Sequence, residues 1–253
     1  MNFPGRNALL STKLGYATHQ MLRWGLGNRP SPAVHPMNTV LKTQAEVDAS
    51  VAEVNRLKLP TFSDAAKNWD TLGALYEILA RIPRTGLILD AGAEVYSRIL
   101  PWLYLYGYRN LIGNNLVFKE PFNFGSIRYE HGDITKTRFP DAHFDAITCL
   151  SVVEHGVDLE RYFKEMARIL KRGGLLVTST DYYEQPTDTQ GKHAYGCPIR
   201  VFTADDMRAT FAMAEKFGLK LTSAVDLASK DRVVHWKVHD LRYSFIVFAM
   251  TRL

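Results

Sequence analysis

Short apolar runs alternate with amphipathic stretches from Gly86 to the end of the chain. Runs of this length are typical of strands buried on both faces, and helices between such strands are the crossover connections of a mostly parallel sheet. Seven strands are predicted, at residues 87–89, 111–112, 127–129, 144–150, 175–179, 219–224 and 243–251. No helix separates the last two runs, so we expect the final strand to pair antiparallel to its neighbour.

Two further helices are predicted between these strands. Asp158 can cap the first, which we expect to end at Gly173 or Gly174, because glycine is favoured just beyond a helix. Thr203 begins the second with a capping-box pattern, and Gly218 ends it.

The chain before the sheet has helical patterns. Thr43 and Glu46 have the spacing of a capping box, and Pro60 stops the helix that follows them. A second helix is predicted over residues 68–81, where leucines recur on one side. We therefore expect residues 1–82 to form an irregular arm and a helical cap, with one further helix within 9–26.

Charge is unevenly spread along the chain. The net charge is +5, and residues 1–42 contain five basic residues and no acidic one. This arm suits either a loosely packed tail or a peripheral contact with an anionic membrane surface. No dense Lys/Arg cluster or recognition spacing occurs, so nucleic acid is disfavoured as the main partner.

Cysteine content and hydropathy limit the setting of the protein. Cys149 and Cys197 are the two cysteines, too few for a disulfide framework or a cysteine-based zinc site. The sequence has no run of about 18 apolar residues, so no membrane-spanning helix is predicted. We therefore expect a cytoplasmic protein without a metal site, and we discount the pair His235 and His239 because no third ligand accompanies it.

Polar residues follow three of the predicted strands. Asp90 and Gly92 follow the first, Asn115 the second and Asp133 the third. In open α/β sheets, ligands bind at the carboxyl ends of the strands. Ordinary turns remain the alternative at each position, since a complete G-x-G-x-x-G loop is missing.

The next two strands carry the candidate general bases. His155 follows the strand at 144–150, and a histidine is the side chain closest to titrating at neutral pH. Asp181 ends the following strand, and His193 lies in the long loop after it. Long loops in compact domains are usually functional, so we expect this one to face a substrate, although His155 also suits a structural role.

These motifs occur in an order that resembles the class I S-adenosylmethionine-dependent methyltransferases of the type 11 group. The resemblance is carried by Gly132-Asp133, Phe139 to Asp145, Val153-Glu154-His155, and the stretch from Glu165 through Arg168 to Gly173-Gly174. It implies an α/β, Rossmann-like, doubly wound fold with a mostly parallel seven-stranded sheet, a last antiparallel strand and an N-terminal helical cap. Residues 83–253 would form this domain.

The resemblance also implies a cofactor, S-adenosylmethionine, and a site for it. The implied cofactor-binding residues are Asp90, Ala91, Gly92, Ala93, Glu94, Asn114, Asn115, Asp133, Ile134, Leu150 and Ser151. The chain departs from the family pattern where Glu94 and Tyr96 replace loop glycines and Asn115 replaces the ribose-binding acid.

Three functions follow as hypotheses. The first is methyl transfer to a small-molecule or glycan acceptor at a sugar hydroxyl, with His155, His193 and Asp181 as candidate bases, because the chain looks like a bacterial branch associated with polysaccharide biosynthesis. The second is a non-catalytic scaffold, since fold does not fix function. The third is a lipid or quinone methyltransferase that uses the basic arm at a membrane.

Overall fold

A computed structural model describes residues 29–253 of the chain. The helix predicted within 9–26 and most of the basic arm lie outside the described residues. The helices are α1 (Gln44–Arg56), α2 (Lys67–Arg81), α3 (Ile99–Leu105), α4 (Leu159–Ile169) and α5 (Ala204–Lys216). The strands are β1 (Thr39–Val40), β2 (Leu87–Ala91), β3 (Asn110–Asn115), β4 (Phe122–Phe124), β5 (Ile127–His131), β6 (Phe144–Leu150), β7 (Leu170–Tyr182), β8 (His193–Ala194), β9 (Cys197–Pro198), β10 (Leu219–Leu221), β11 (Val234–Trp236) and β12 (Leu241–Arg252).

One sheet organises the molecule, in the order β1-β12-β7-β6-β2-β3-β5-β4, with β10 and β11 also paired to β12. The strands from β7 to β5 along this order pair in parallel, whereas β12 pairs antiparallel with β7. The predicted α/β fold and its antiparallel last strand are confirmed. The short strands β1, β4 and β11 extend the predicted set because two or three residues carry no readable periodicity.

The predicted helix starts are confirmed by hydrogen bonds. Thr43 forms a reciprocal capping box with Glu46, and Thr203 does so with Asp206. Asp158 accepts from the amide of Arg161 at the start of α4. Side chains that accept from otherwise unpaired first-turn amides fix where these helices begin.

The predicted end of α4 is wrong. The helix stops at Ile169, and residues 170–174 begin β7 instead of continuing to Gly173. Leu170 pairs with Phe144, and a register shift between Phe144 and Ala146 accommodates the extra residues. A tertiary pairing therefore replaces the last helical turn.

The strand predicted at 219–224 is also shorter than expected. It ends at Leu221, and the side-chain amide of Asn38 donates to the hydroxyls of Thr222 and Ser223 just beyond that end.

Helices cover both faces of the sheet. On one face, α1, α2 and α3 contribute the buried side chains of Val54, Trp69 and Trp102 to a common core with the strands. On the other face, Met166 from α4 and Phe211 from α5 pack against the sheet. The cap helices α1 and α2 thus share their core with the sheet, while the domain boundary at residue 82 remains a prediction.

Candidate active site

Asp90 is a buried acid near the end of β2, where the strand order reverses between β3 and β6. The hydroxyl of Thr148 donates to its carboxylate at 2.7 Å. Burial raises the pKa of Asp90 to about 7, and this hydrogen bond offsets only part of that effect. No ion pair to Asp90 is found within residues 29–253, so a cationic ligand group would satisfy it.

The turn after Asp90 requires glycine at position 92. Gly92 has a φ of +83°, and a Cβ there would lie 2.6 Å from both methyl groups of Val152. The amides of Gly92 and Ala93 both donate to the carbonyl of Asn114. The side-chain amide of Asn115 donates to the carbonyls of Gly92 and Ala93, at 3.1 and 3.0 Å. Asn115 therefore holds the turn in place, a use that the sequence did not indicate.

Two buried polar atoms flank this turn without a hydrogen-bond partner among the described residues. They are the Oδ1 atom of Asn114 and the Oγ atom of Ser151. Asn114 is paired beside Ala91, and Ser151 follows β6, the other neighbour of β2. Buried polar atoms are normally satisfied in folded proteins, so these two are available to a ligand.

The remaining predicted cofactor residues lie around the same edge of the sheet. Glu94 is half-buried, and burial raises the pKa of its carboxyl group. Asp133 is exposed, and its carboxylate accepts from the amide and hydroxyl of Thr135, both at 2.8 Å. Ile134 is buried and Leu150 half-buried. Asp133 thus forms a turn with Thr135, and its contact with adenine stays a prediction.

His155 lies where the loop after β7 folds back over β6. Its ring packs against Tyr195, with the ring centroids 4.7 Å apart, at the tip of the β8–β9 hairpin. Burial, assisted by the positive charge of Lys67, lowers the pKa of His155 to about 4. The imidazole is therefore neutral near pH 7, which leaves a nitrogen able to accept a proton.

His193 and Asp181 occupy different surroundings. His193 is exposed, and its Nδ1 atom lies 2.9 Å from the carbonyl of Gly191 in its own hairpin. Asp181 is buried in β7, where burial, followed by repulsion from Glu154, raises its pKa well above the usual range. The structure therefore brings Asp181 close to the residues after β6 but leaves His193 on the surface.

Sequence reasoning singled out Glu154 and Asp181 separately but missed the carboxyl cluster that they form with Asp70 at the ends of β6 and β7. All three side chains are buried, and the hydroxyl of Thr180 donates to Glu154 at 3.1 Å. Burial raises the pKa of Glu154 to about 7 and also raises the pKa of Asp70, against the attraction of Lys67. Asp70 and Lys67 come from α2, so no local pattern near Glu154 could reveal the cluster.

Metal ligation is not supported in the described part of the chain. Within residues 29–253, no group of three or more His, Cys, Asp or Glu side chains is arranged to hold a metal ion. His235 instead lies 3.0 Å from the carboxylate of Asp240. Over the same residues, no helix has the length and apolar character needed to span a membrane.

The order of these elements matches known proteins. The profile described as "Methyltransferase domain" matches residues 109–178. The chain has the class I methyltransferase fold. Geranyl diphosphate C-methyltransferase from Streptomyces coelicolor superposes with a TM-score of 0.54 at 18% identity, covering 94% of this chain and 98% of that one. The resemblance predicted from the motifs is thus confirmed.

Curated relatives match over shorter segments. Sterol 24-C-methyltransferase from Aspergillus fumigatus is 25% identical over 116 residues, 44% of this chain and 31% of its own length. Demethylmenaquinone methyltransferase from Deinococcus radiodurans is 44% identical over 52 residues, 21% of this chain and 22% of its own length. The chain therefore spans less than a third of each of these relatives, and their acceptors remain properties of those proteins.

Residues near the carboxyl ends of β2, β3 and β6 fit the polar ends of S-adenosylmethionine. Asp90 offers a carboxyl group that lacks a cation, and the unpaired oxygens of Asn114 and Ser151 offer hydrogen-bonding positions. Glu94 is the residue that fits least well, because a second carboxylate near the turn repels a ligand carboxylate. Its raised pKa weakens this repulsion by favouring the neutral form.

Proposed function

We propose that the protein is an S-adenosylmethionine-dependent methyltransferase. The observation that carries the proposal is the buried Asp90, beside a glycine turn and the unpaired oxygen of Asn114, at the reversal point of a class I methyltransferase sheet. Asp90 would accept from the cofactor's ammonium group, and Asn114 from a ribose hydroxyl. When bound, the cofactor supplies a methyl group on a positively charged sulfur, which is open to nucleophilic attack.

For the acceptor, we propose a small molecule or glycan that reacts through a sugar hydroxyl. The support is the polar surrounding beyond β6, where Glu154 and Asp181 lie near Lys67 and His155. A hydroxyl becomes a better nucleophile when a base removes its proton as the new C–O bond forms. Glu154, with a pKa of about 7, is better matched to that task at neutral pH than His155.

Calorimetric titration with S-adenosylmethionine and S-adenosylhomocysteine tests the cofactor assignment. We expect micromolar binding that is lost in Gly92→Arg, because its side chain would enter the space held by Val152. Gly218→Arg is the matched control, since Gly218 has a similar φ of +78° with open space around it. Asp90→Asn provides a second variant that keeps the shape of the turn.

Absence of binding by the folded wild-type protein at millimolar ligand would reject the proposal in favour of a scaffold. One observation favours that alternative: the amides of Gly92 and Ala93 are already engaged by Asn114. If binding is found, methyl transfer from labelled cofactor to a panel of sugars tests the acceptor, and labelling of no sugar hydroxyl by the cofactor-binding enzyme would count against it.

A lipid or quinone acceptor is the second candidate, favoured by exposed apolar side chains on the loops after β2 and β3 and on the β8–β9 hairpin. These side chains are Val95, Tyr96, Leu116, Val117 and Tyr195. The similarity to enzymes named for sterol, menaquinone and geranyl diphosphate points the same way.

Co-sedimentation with phosphatidylglycerol-containing vesicles tests this candidate. Leu116→Asp should reduce binding several-fold, whereas Leu253→Asp should not, because Leu253 is similarly exposed but lies at the opposite end of the strands. Background sedimentation of the wild-type protein would reject the membrane candidate.

A further inference from the structure

The turn that follows β6 has a strained backbone. Ser151 has a φ of +53°, in the left-handed region that residues other than glycine rarely adopt. Its amide donates to the carbonyl of Ser179 at 3.0 Å and to the hydroxyl of Ser179 at 3.1 Å. Such a conformation persists only where the surrounding contacts hold it, and Ser179 supplies them here.

The hydroxyl of Ser179 is itself fixed by Asp70. It donates to the carboxylate of Asp70 at 2.6 Å, and both side chains are fully buried. A hydroxyl has a single proton, so the oxygen that donates to Asp70 is left to accept from Ser151. A donor chain that ends on a carboxylate strengthens each hydrogen bond along it.

Asp70 belongs to α2, which precedes the segment that matches the methyltransferase domain. It lies in the first turn of α2, where the helix dipole favours a negative charge. Its other carboxylate oxygen lies 3.2 Å from the hydroxyl of Thr71, which donates to the carbonyl of Lys67 at 2.7 Å. The cap helix therefore presents an acceptor that is linked to the turn after β6 through Ser179.

The turn that follows β6 also contacts the cofactor side of the site. Val152, the residue after Ser151, is the side chain that packs against Gly92. A change in the backbone at Ser151 would move Val152 against the Gly92 turn and would displace the unpaired Ser151 hydroxyl. Interiors are close-packed, so such a displacement is transmitted rather than absorbed.

We propose that Asp70 is a positioning residue that acts through Ser179 on Ser151 and thereby shapes the cofactor site from the cap helix. The predicted effect on cofactor affinity rests on the proposed function. Its structural part, the hydrogen-bond chain, stands on the contacts among these three residues.

The test compares Asp70→Ala, Asp70→Asn and Glu77→Ala in the full chain. Glu77 is the matched control, because it is a buried acid of the same helix that pairs with Arg81 away from the turn. Amide exchange of Ser151 is measured by NMR on labelled protein, and S-adenosylhomocysteine affinity by calorimetry. For Asp70→Ala we expect about tenfold faster exchange and about tenfold weaker binding, the scale of one lost buried hydrogen bond.

Asp70→Asn should lie within about threefold of the wild type in both measurements, because the asparagine oxygen still accepts from Ser179. Glu77→Ala should change neither measurement. If Asp70→Ala does not fold, Ser179→Ala removes the same link and is measured in its place.

Unchanged Ser151 exchange in Asp70→Ala or Ser179→Ala would overturn the hydrogen-bond chain. Faster exchange with unchanged cofactor affinity would overturn the positioning role. If the wild-type protein does not bind the cofactor, the proposed function fails, and the exchange measurement still decides the structural part.

Discussion

At the residue scale, the most informative side chains of this site are buried acids. Asp90 and Glu154 were visible in the sequence as polar residues after apolar runs, yet their protonation is set by the fold. Burial disfavours the charged carboxylate and raises both pKa values to about 7. A carboxyl group with such a pKa changes charge in the physiological range, which suits ligand binding at Asp90 and proton transfer at Glu154.

The pH dependence of stability tests the environment of Asp90. Its folded-state pKa of about 7 lies above the ordinary value of 3.8, so the neutral form favours folding. The contribution is therefore fully present below about pH 4 and is lost as pH rises to 7, by roughly 3–4 kcal/mol. Denaturant unfolding of Asp90→Asn should show a correspondingly flatter pH profile between 4 and 7.

An identical pH profile for wild type and Asp90→Asn would contradict the assigned burial. The Thr148→Val variant is a useful control, because it removes the side-chain donor to Asp90 found within residues 29–253 and should raise the pKa of Asp90 further.

The assignment of the base is tested by comparing Glu154→Gln with His155→Ala. We expect Glu154→Gln to lower kcat by about 10²–10⁴-fold at neutral pH, because glutamine cannot accept the proton. His155→Ala should cost less, since a group with a pKa of about 4 is a weak base at pH 7. Single-turnover methyl transfer with saturating cofactor separates this loss from a change in binding.

If His155→Ala lowers kcat more than Glu154→Gln, the general base is His155, the residue that the sequence favoured. Binding of the cofactor should persist in both variants, which calorimetry checks.

At the element scale, the sequence predicted four of the five helices that the structure describes and the longer strands, missed α3, and misjudged where some of these elements end. The helix starts at Thr43, Asp158 and Thr203 depend on side chains within three residues of each start, so a local pattern predicts them. The end of α4 depends on the pairing of Leu170 with Phe144, residues far apart in the chain. The residues near the end of α4 do not indicate that distant partner.

The α5 capping box supplies a prediction at this scale. Thr203→Ala should lower the free energy of unfolding by about 1 kcal/mol, because the amide of Asp206 loses its acceptor. Thermal or denaturant unfolding measures this change, and Thr203→Ser should restore most of it. A loss below the error of the measurement would show that the capping box at Thr203 contributes nothing to stability.

At the scale of the whole molecule, the cap and the sheet form a common core. Asn38 joins the segment before α1 to the far end of the chain, since its side chain accepts from the amide of Ala249 at 2.8 Å and donates to Ser223 at 2.7 Å. It is fully buried with a φ of +55°. The contact with Ala249 links residues 211 positions apart, so it is a property of the folded molecule alone.

Replacing Asn38 tests how strongly the cap segment supports the sheet. Asn38→Ala should lower the free energy of unfolding by about 1–3 kcal/mol, because the buried Ala249 amide loses its acceptor. Asn38→Gly also removes the hydrogen bonds but adopts the positive φ without strain, so comparing it with Asn38→Ala separates the conformational effect from the lost hydrogen bonds. If the alanine variant unfolds at the same denaturant concentration as the wild type, the contact does not contribute to stability.

The sequence by itself determined the α/β fold, the succession of strands along the chain and the acids that follow them, because these depend on periodicity and on residues close in the chain. It also gave the resemblance to class I methyltransferases, through motifs that lie within single turns. The tertiary structure decided the protonation of Asp90 and Glu154, the turn-holding use of Asn115 and the link from Asp70 to Ser151. Each of these depends on burial or on a partner from a distant element, and neither is written in a local pattern.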